Sequence, residues 1–266
     1  MIPIRIGLIG KGNLGLFLLR KINHEKILKD YKIVSILDER EKAKDELSIL
    51  AEKYDCDSFQ DIHSFLKSGI DIVVECANIE TAKLYATEVI KKKNLLLISI
   101  GAFADTPFAE ILKEDARKYG NRVYLPSGAI GGLDALKAAK LAGGLESVML
   151  TTRKPANSLS DEIISGEQIL FEGSAREAIK QFPKNANVAI VLSLAGLGVD
   201  KTAVQIIADP AVTQNTHQIE VIGAFGEFVL TIKNNPSPDN PKTSHITGSS
   251  IIATLANLES EIAIGT

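Results

Sequence analysis

Cysteine is nearly absent: only Cys56 and Cys76 occur in 266 residues. Neither stands in a Cys-x-x-Cys pair or in a cluster with histidine, so the sequence offers no disulfide framework and no structural zinc site. Basic tracts are also missing. Lysine and arginine number 30 against 33 acids, a formal net charge of −3. Nucleic-acid binding needs a positive surface, so a nucleic-acid partner is not expected. No apolar run reaches the roughly 18 residues of a membrane span, and no membrane partner is expected. The first strand-like run begins by Ile4, which leaves no room for a signal peptide and makes the cytoplasm the expected compartment. There are no internal repeats and no low-complexity stretches. What remains is ordinary for a soluble globular protein, with 45% hydrophobic and 24% charged residues. The length suits two domains and a sizeable core.

The organising stretch is the first thirty-eight residues. Ile4–Ile9 reads as a buried strand. Gly10-Lys11-Gly12-Asn13-Leu14-Gly15 follows, then a helix-like run through Ile22 with Leu14, Phe17, Leu18 and Ile22 on one face. Ile33–Leu37 is a second strand ending at Asp38. Gly10 permits a tight turn, Gly12 lets backbone approach a pyrophosphate, and Gly15 lets the helix pack on the strand. The helix N-terminus offers free N–H groups and a positive dipole end to phosphate. Asp38 lies twenty-three residues after Gly15, where an acid can accept hydrogen bonds from an adenosine ribose. Together these features predict a dinucleotide site. Arg40 leaves the cofactor open between NAD and NADP: it could bind a 2′-phosphate, or be a solvated arginine at a helix start.

Further along, 41–53 reads as a charged surface helix with Leu47 and Leu50 inward. Asp71–Cys76, Leu95–Ile98 and Arg122–Leu125 read as strands. Helices over Ile79–Lys92 and Phe108–Tyr119 separate them. This alternation predicts an α/β fold: a Rossmann-type, doubly wound parallel sheet over residues 1–125. Ligands bind beyond the carboxyl ends of such strands. Glu75-Cys76-Ala77-Asn78, Ser99-Ile100-Gly101-Ala102 and the segment Pro126–Gly132 fall there. Cys76, Ala77, Gly101 and Ala129 are small enough to let a nicotinamide ring lie against backbone. Each segment also reads as a strand-to-helix turn that simply needs small residues.

After Leu133 the pattern changes. Helices are expected at Asp134–Leu141, Ser174–Gln181 (with a Ser174/Glu177 capping box) and Asn187–Ala195. Strands are expected at Ser147–Lys154, Ala203–Ala208, His217–Ile222 and Glu227–Lys233. Gathered strands predict a second, α+β domain over 126–242 with a mixed or antiparallel sheet. Three prolines between Asn234 and Lys242 predict a loop. A helix over Thr247–Ile262 is expected, with 243–266 packing back on the first domain.

Nicotinamide chemistry needs a group that moves a proton, and histidine suits that near neutral pH. His24 and His63 lie in charged stretches and read as surface residues. His217 opens a strand and His245 a helix; each alone reads more often as a structural histidine than as a catalyst. Arg153, Lys154 and Lys242 are cations that could bind a carboxylate or be surface charges.

Several stretches together give a resemblance. They are the glycine turn at 10–15, Pro126-Ser127-Gly128-Ala129-Ile130-Gly131-Gly132-Leu133-Asp134, Thr152-Arg153-Lys154-Pro155, Phe182-Pro183-Lys184-Asn185-Ala186-Asn187-Val188-Ala189, Ala208-Asp209-Pro210, Asn215-Thr216-His217 and Asn240-Pro241-Lys242-Thr243-Ser244. Along nearly its full length the chain resembles the L-aspartate dehydrogenase family. The resemblance implies NAD(P)-dependent oxidation of L-aspartate to iminosuccinate, which hydrolyses to oxaloacetate and ammonia, and the reverse amination. The resemblance also implies that the iminosuccinate can feed NAD synthesis through quinolinate. The family's catalytic histidine falls on His217. Its substrate-associated asparagine falls on Asn187, with Asn185 as a rival. Lys154 is a candidate for a substrate carboxylate. No metal is required, and a homodimer is expected. Lys242 stands where the family often has arginine, and Ala156 where it often has a second proline; both bear on substrate preference. Two other readings stay open. One is a reductase of the homoserine dehydrogenase or dihydrodipicolinate reductase kind; the other is a protein that binds NAD(P) without catalysis.

Overall fold

The computed structural model describes residues 3–40, 44–159, 163–183, 186–238, 240–262 and 264. The chain divides into two compact units: residues 1–126 with 251–259, and residues 127–250 with 260–266.

The first unit alternates strand and helix. Its elements are β1 (Ile4–Ile9), α1 (Asn13–Leu18), β2 (Tyr31–Leu37), α2 (Lys44–Tyr54), β3 (Asp57–Phe59), α3 (Ile62–Lys67), β4 (Ile72–Glu75), α4 (Ile79–Ile90), β5 (Asn94–Leu97), α5 (Thr106–Tyr119) and β6 (Val123–Tyr124). All strand pairs are parallel, in the order β3-β2-β1-β4-β5-β6. The order reverses direction between β1 and β4, which is where such sheets open a crevice. The strands are apolar because helices cover both faces: Ile6, Leu8, Ile33, Ile36, Val74 and Leu96 are buried. Ile251 and Leu255 belong to the same core, and the Tyr31 hydroxyl donates to the Leu255 carbonyl at 2.6 Å. Caps mark the helix starts. Asp61, Asn78 and Asp105 accept from the backbone N–H of Ser64, Thr81 and Phe108, satisfying donors the helices leave unpaired. No pattern in the sequence predicts β3 or α3. They are three and six residues long, too short for a periodic pattern. Beyond Leu18 the first helix widens into a π-turn over Leu19–His24.

The second unit contains α6 (Leu133–Ala142), β7 (Leu145–Pro155), β8 (Gln168–Ser174), α7 (Ala175–Gln181), α8 (Asn187–Ala195), β9 (Ala203–Asp209), β10 (Asn215–Gly223), β11 (Gly226–Asn234), β12 (Pro236–Ser237) and β13 (Asn240–Ser244). The helix α9 (Ile246–Leu258) follows. Five strands form a mixed sheet, β11-β10-β7-β9-β8, in which only β7 and β9 run parallel. The capping box is present: the Ser174 hydroxyl accepts from Glu177 N–H while the Glu177 carboxylate takes the Ser174 N–H. The proline-rich stretch is not wholly a loop. Pro236–Ser237 pairs antiparallel with Asn240–Ser244 in a separate two-stranded ribbon. Proline survives there because a strand with an open edge does not need every N–H. The last helix ends at Leu258, short of the expected Ile262.

Candidate active site

In the first unit, a cleft of about 400 Å³ opens at the carboxyl ends of β1, β2 and β4. That volume lies within the range of small-ligand and cofactor sites. Gly10, Lys11, Gly12, Asp38, Arg40, Cys76 and Ala77 all line it. The three glycines differ in what demands them. Gly10 has φ +105°, a conformation L side chains rarely adopt, and a Cβ there would stand 2.9 Å from the Ala77 nitrogen. A Cβ on Gly15 would stand 2.2 Å from the Gly10 carbonyl oxygen, so helix and turn touch backbone to backbone. Gly12 is different: nothing lies within 4 Å of its absent Cβ. Protein packing does not require that glycine, whereas a phosphate group seated on the turn would. The residues present therefore fit a dinucleotide. Asn13 is exposed at the start of α1, Leu14 packs against the core, and Gly101 is buried in the 3-10 turn Ile100–Ala104; none of these lines the cleft.

Asp38 is buried and Arg40 exposed. Arg40 grips Asp38 in a two-pronged pair, Nε to Oδ1 at 2.9 Å and a terminal nitrogen to Oδ2 at 2.5 Å. This contact holds the Asp38 carboxyl below the usual range. Lys11, on the turn, forms an ion pair with Glu46 of α2.

Beneath the cleft sits a group that motif reading passed over. Glu75, the last residue of β4, is 2% exposed. Its carboxylate accepts from Ala77 N–H at 2.8 Å, Ser99 N–H at 3.1 Å and the Ser99 hydroxyl at 2.9 Å. It thus ties the loop after β4 to the loop after β5. Burial pushes its pKa up, and the hydrogen bonds from Ser99 and Ala77 oppose that shift. Burial also raises the thiol of neighbouring Cys76, which makes it an inert packing group. Asn78, Thr81 and Tyr85, at the start of α4, complete the wall.

The second unit gathers its candidates on one sheet face. Along β7 and β10 the inward residues begin apolar (Val148, Leu150, Ile219 and Val221) and then turn polar: Thr152, Lys154, Asn215 and His217, each no more than 5% exposed. His217 is paired with Thr152 in the register, and its Nδ1 lies 3.0 Å from the Thr152 hydroxyl. That contact fixes the ring and leaves Nε2 for another partner. Burial, aided by the charge of Lys154, drives the His217 pKa down to about 3. Burial alone brings Lys154 down to about 8. The ring is neutral in the range where Lys154 titrates, so it adds no charge to that shift.

Around this face, Asn234 Nδ2 donates to the Ala129 carbonyl at 3.0 Å, and the Gly128 N–H donates to the Ser250 hydroxyl at 3.1 Å. The small-residue segment at 127–132 is therefore anchored within the second unit. Asn187 is half-buried as the first residue of α8. Its rival Asn185 lies outside the described residues, as does the side chain of Lys242. Arg153 points the other way and pairs with Glu167 and Asp209. His24, His63 and His245 are exposed. Sequence reading missed Glu75, Asn215 as an individual group, and Asn234. The available signal was alternation: Asn215, two residues before His217 on β10, shares its face.

Comparison with known proteins places the chain in a family. Residues 10–126 match the family model for the homoserine dehydrogenase NAD binding domain, and residues 134–258 that for the aspartate dehydrogenase C-terminal domain. The L-aspartate dehydrogenase of Methanococcoides burtonii is 38% identical over 99% of this chain and 100% of that protein. That of Thermotoga maritima is 39% identical over 97% of this chain and 98% of its own length. The crystal structure of aspartate dehydrogenase from Thermotoga maritima superposes with a TM-score of 0.80 at 33% identity, covering 98% of this chain and 99% of that one. Relatives named L-aspartate dehydrogenase match along nearly the whole chain, which disfavours the other reductases and a non-catalytic binding role. The chain belongs to the L-aspartate dehydrogenase family of NAD(P)-dependent oxidoreductases.

Proposed function

We propose that the protein oxidises L-aspartate to iminosuccinate with NAD(P), the imine then hydrolysing to oxaloacetate and ammonia, and that it also runs the reverse amination. The buried trio Thr152, Lys154 and His217 carries this reading. It joins a proton carrier to a cation in a water-poor place, on a unit that matches the aspartate dehydrogenase C-terminal model.

Bound nicotinamide supplies a hydride acceptor, or donor, for the substrate α carbon. The backbone of Gly10, Lys11, Gly12, Asn13, Leu14 and Gly15 would hold the diphosphate at the opening of α1. Asp38 would take the ribose, with Arg40 beside it. Cys76 and Ala77, on the wall of the cleft, would leave room for the nicotinamide ring. Lys154 pairs with a substrate carboxylate, and the amide of Asn187 or Asn185 adds hydrogen bonds to the same molecule. His217, neutral near pH 7, accepts a proton at Nε2 from the substrate amine or from the water that attacks the imine. The two carboxylates of a bound substrate raise its basicity at that moment.

The sheet also suggests how two copies meet. Ile222, Phe225 and Val229 stand exposed on the β10–β11 hairpin, an apolar strip that supports a homodimer; light scattering on the purified protein tests this. A charged dinucleotide does not cross membranes, so a cytoplasmic location goes with this chemistry.

The activity is read from absorbance at the reduced-nicotinamide band. L-Aspartate with NAD or NADP is expected to give signal. D-Aspartate, L-glutamate and L-homoserine are expected to give little. No signal with L-aspartate, and none with oxaloacetate plus ammonia, would refute the reading.

A further inference from the structure

Asn215 opens β10 two residues before His217, on the same face. It is 1% exposed. Its Nδ2 donates to the Ser244 hydroxyl at 3.3 Å. Its Oδ1 is the one fully buried side-chain oxygen without a hydrogen-bond partner among the described residues. Buried acceptors are rarely left unpaired, because water must be removed from them at a cost that no contact then offsets. The neighbours are placed by register. Asn215 pairs with Asn234 on β11. The β10–β7 register, which sets His217 against Thr152 and Thr216 against Arg153, continues to bring Asn215 beside Lys154.

We propose that Asn215 is a substrate-binding residue, whose side-chain carbonyl receives the α-amino group of the amino-acid substrate. The argument rests on the aspartate reading above and on a matching of donors to acceptors. The two carboxylates of L-aspartate can only accept hydrogen bonds, and Lys154 answers them with charge. The amino group is the one part of the molecule that donates. Among the described residues, Asn215 Oδ1 is the one fully buried side-chain acceptor with nothing to accept. The Ser244 hydroxyl holds the amide so that the oxygen keeps its direction, and the imine N–H formed on oxidation finds the same acceptor. Asn215 thus separates an amino acid from the bare dicarboxylate of the same size.

Succinate is that bare dicarboxylate, and it supplies the test as a competitive inhibitor of the full protein with NADH or NAD present. In Asn215→Leu, the KM for L-aspartate is expected to rise roughly 10- to 100-fold, while the succinate Ki stays within about twofold. The NADH dissociation constant should not change. If the leucine variant does not fold, Asn215→Ser, which shortens the acceptor, is expected to show the same split on a smaller scale. Equal weakening of L-aspartate and succinate would place a carboxylate at Asn215 and overturn the proposal. Unchanged values for both would make Asn215 a structural residue and overturn it too. Failure of the unsubstituted protein to turn over L-aspartate would instead refute the activity reading on which the proposal stands.

Discussion

The two sheets present their functional groups in opposite ways. In the parallel sheet the buried strand positions are mostly apolar, and the groups that line the cleft lie past the strand ends, on turns: Gly10, Gly12, Asp38 and Ala77. In the mixed sheet the strands themselves change character. Val148 and Leu150 give way to Thr152 and Lys154 on β7, and Val221 and Ile219 give way to His217 and Asn215 on β10, with no loss of burial. The difference follows from the ligands. A dinucleotide is held largely by backbone donors and by space, so glycines at a strand end suffice. Proton transfer to a small polar molecule needs titratable side chains out of water, where burial resets their pKa values.

If the first unit works through backbone fit, its largest sensitivity is steric. Gly15→Ala would set a methyl group 2.2 Å from the Gly10 carbonyl oxygen. The expected loss is about 3 kcal/mol of stability or more, with NADH binding falling alongside, measured by denaturant titration and fluorescence. Gly12→Ala meets no protein atom and should leave stability nearly intact while weakening cofactor binding. The two glycines thereby separate folding from binding within one motif.

Glu75 tests the same unit through a buried side chain. Glu75→Ala strands the N–H groups of Ala77 and Ser99 and the Ser99 hydroxyl. A cost of about 2–4 kcal/mol is expected, again by denaturant titration.

The second unit is set apart by pH. The His217 ring titrates near 6.5 when unfolded and near 3 when folded. Between those values the unfolded chain binds the extra proton. Stability from this group is therefore complete above about pH 6.5 and falls by about 1.4 kcal/mol per unit as pH drops toward 3. His217→Phe should flatten that slope. The folded pKa of about 8 at Lys154 gives a companion expectation. Inhibition by succinate should weaken as pH rises through 8, when the free enzyme loses that charge, and Lys154→Met should abolish the dependence.

The smallest effect concerns cofactor choice. Asp38 stays ionised and Arg40 is occupied in neutralising it. Asp38→Ser frees Arg40 for a 2′-phosphate and should move the NAD-to-NADP ratio of kcat/KM toward NADP by about tenfold.

How legible each region was follows from the same contrast. The glycine turn, the alternation of strand and helix, and Asp38 could be read because their meaning lies in spacing along one stretch of chain. Mixed strand pairing in the second unit could be read from the clustering of strands, and the Ser174 cap from two residues three apart. Glu75 could not, because it ends an apolar run and its partners Ser99 and Ala77 come from separate loops. The polar face of the second sheet could not either. His217 meets Thr152 only through the β10–β7 register, and residues sixty-five positions apart leave no local trace of their pairing. The β12–β13 ribbon was hidden by its prolines, which signal a loop unless the open edge of a short strand is seen.

One measurement tests the division between a cofactor-holding unit and a proton-handling unit most directly: NADH affinity and L-aspartate turnover measured together in His217→Ala. The expected result is an NADH dissociation constant close to that of the unsubstituted protein, with kcat lowered about 10²- to 10⁴-fold. Unchanged turnover, or a parallel loss of NADH binding in a protein that still melts cooperatively, would contradict it.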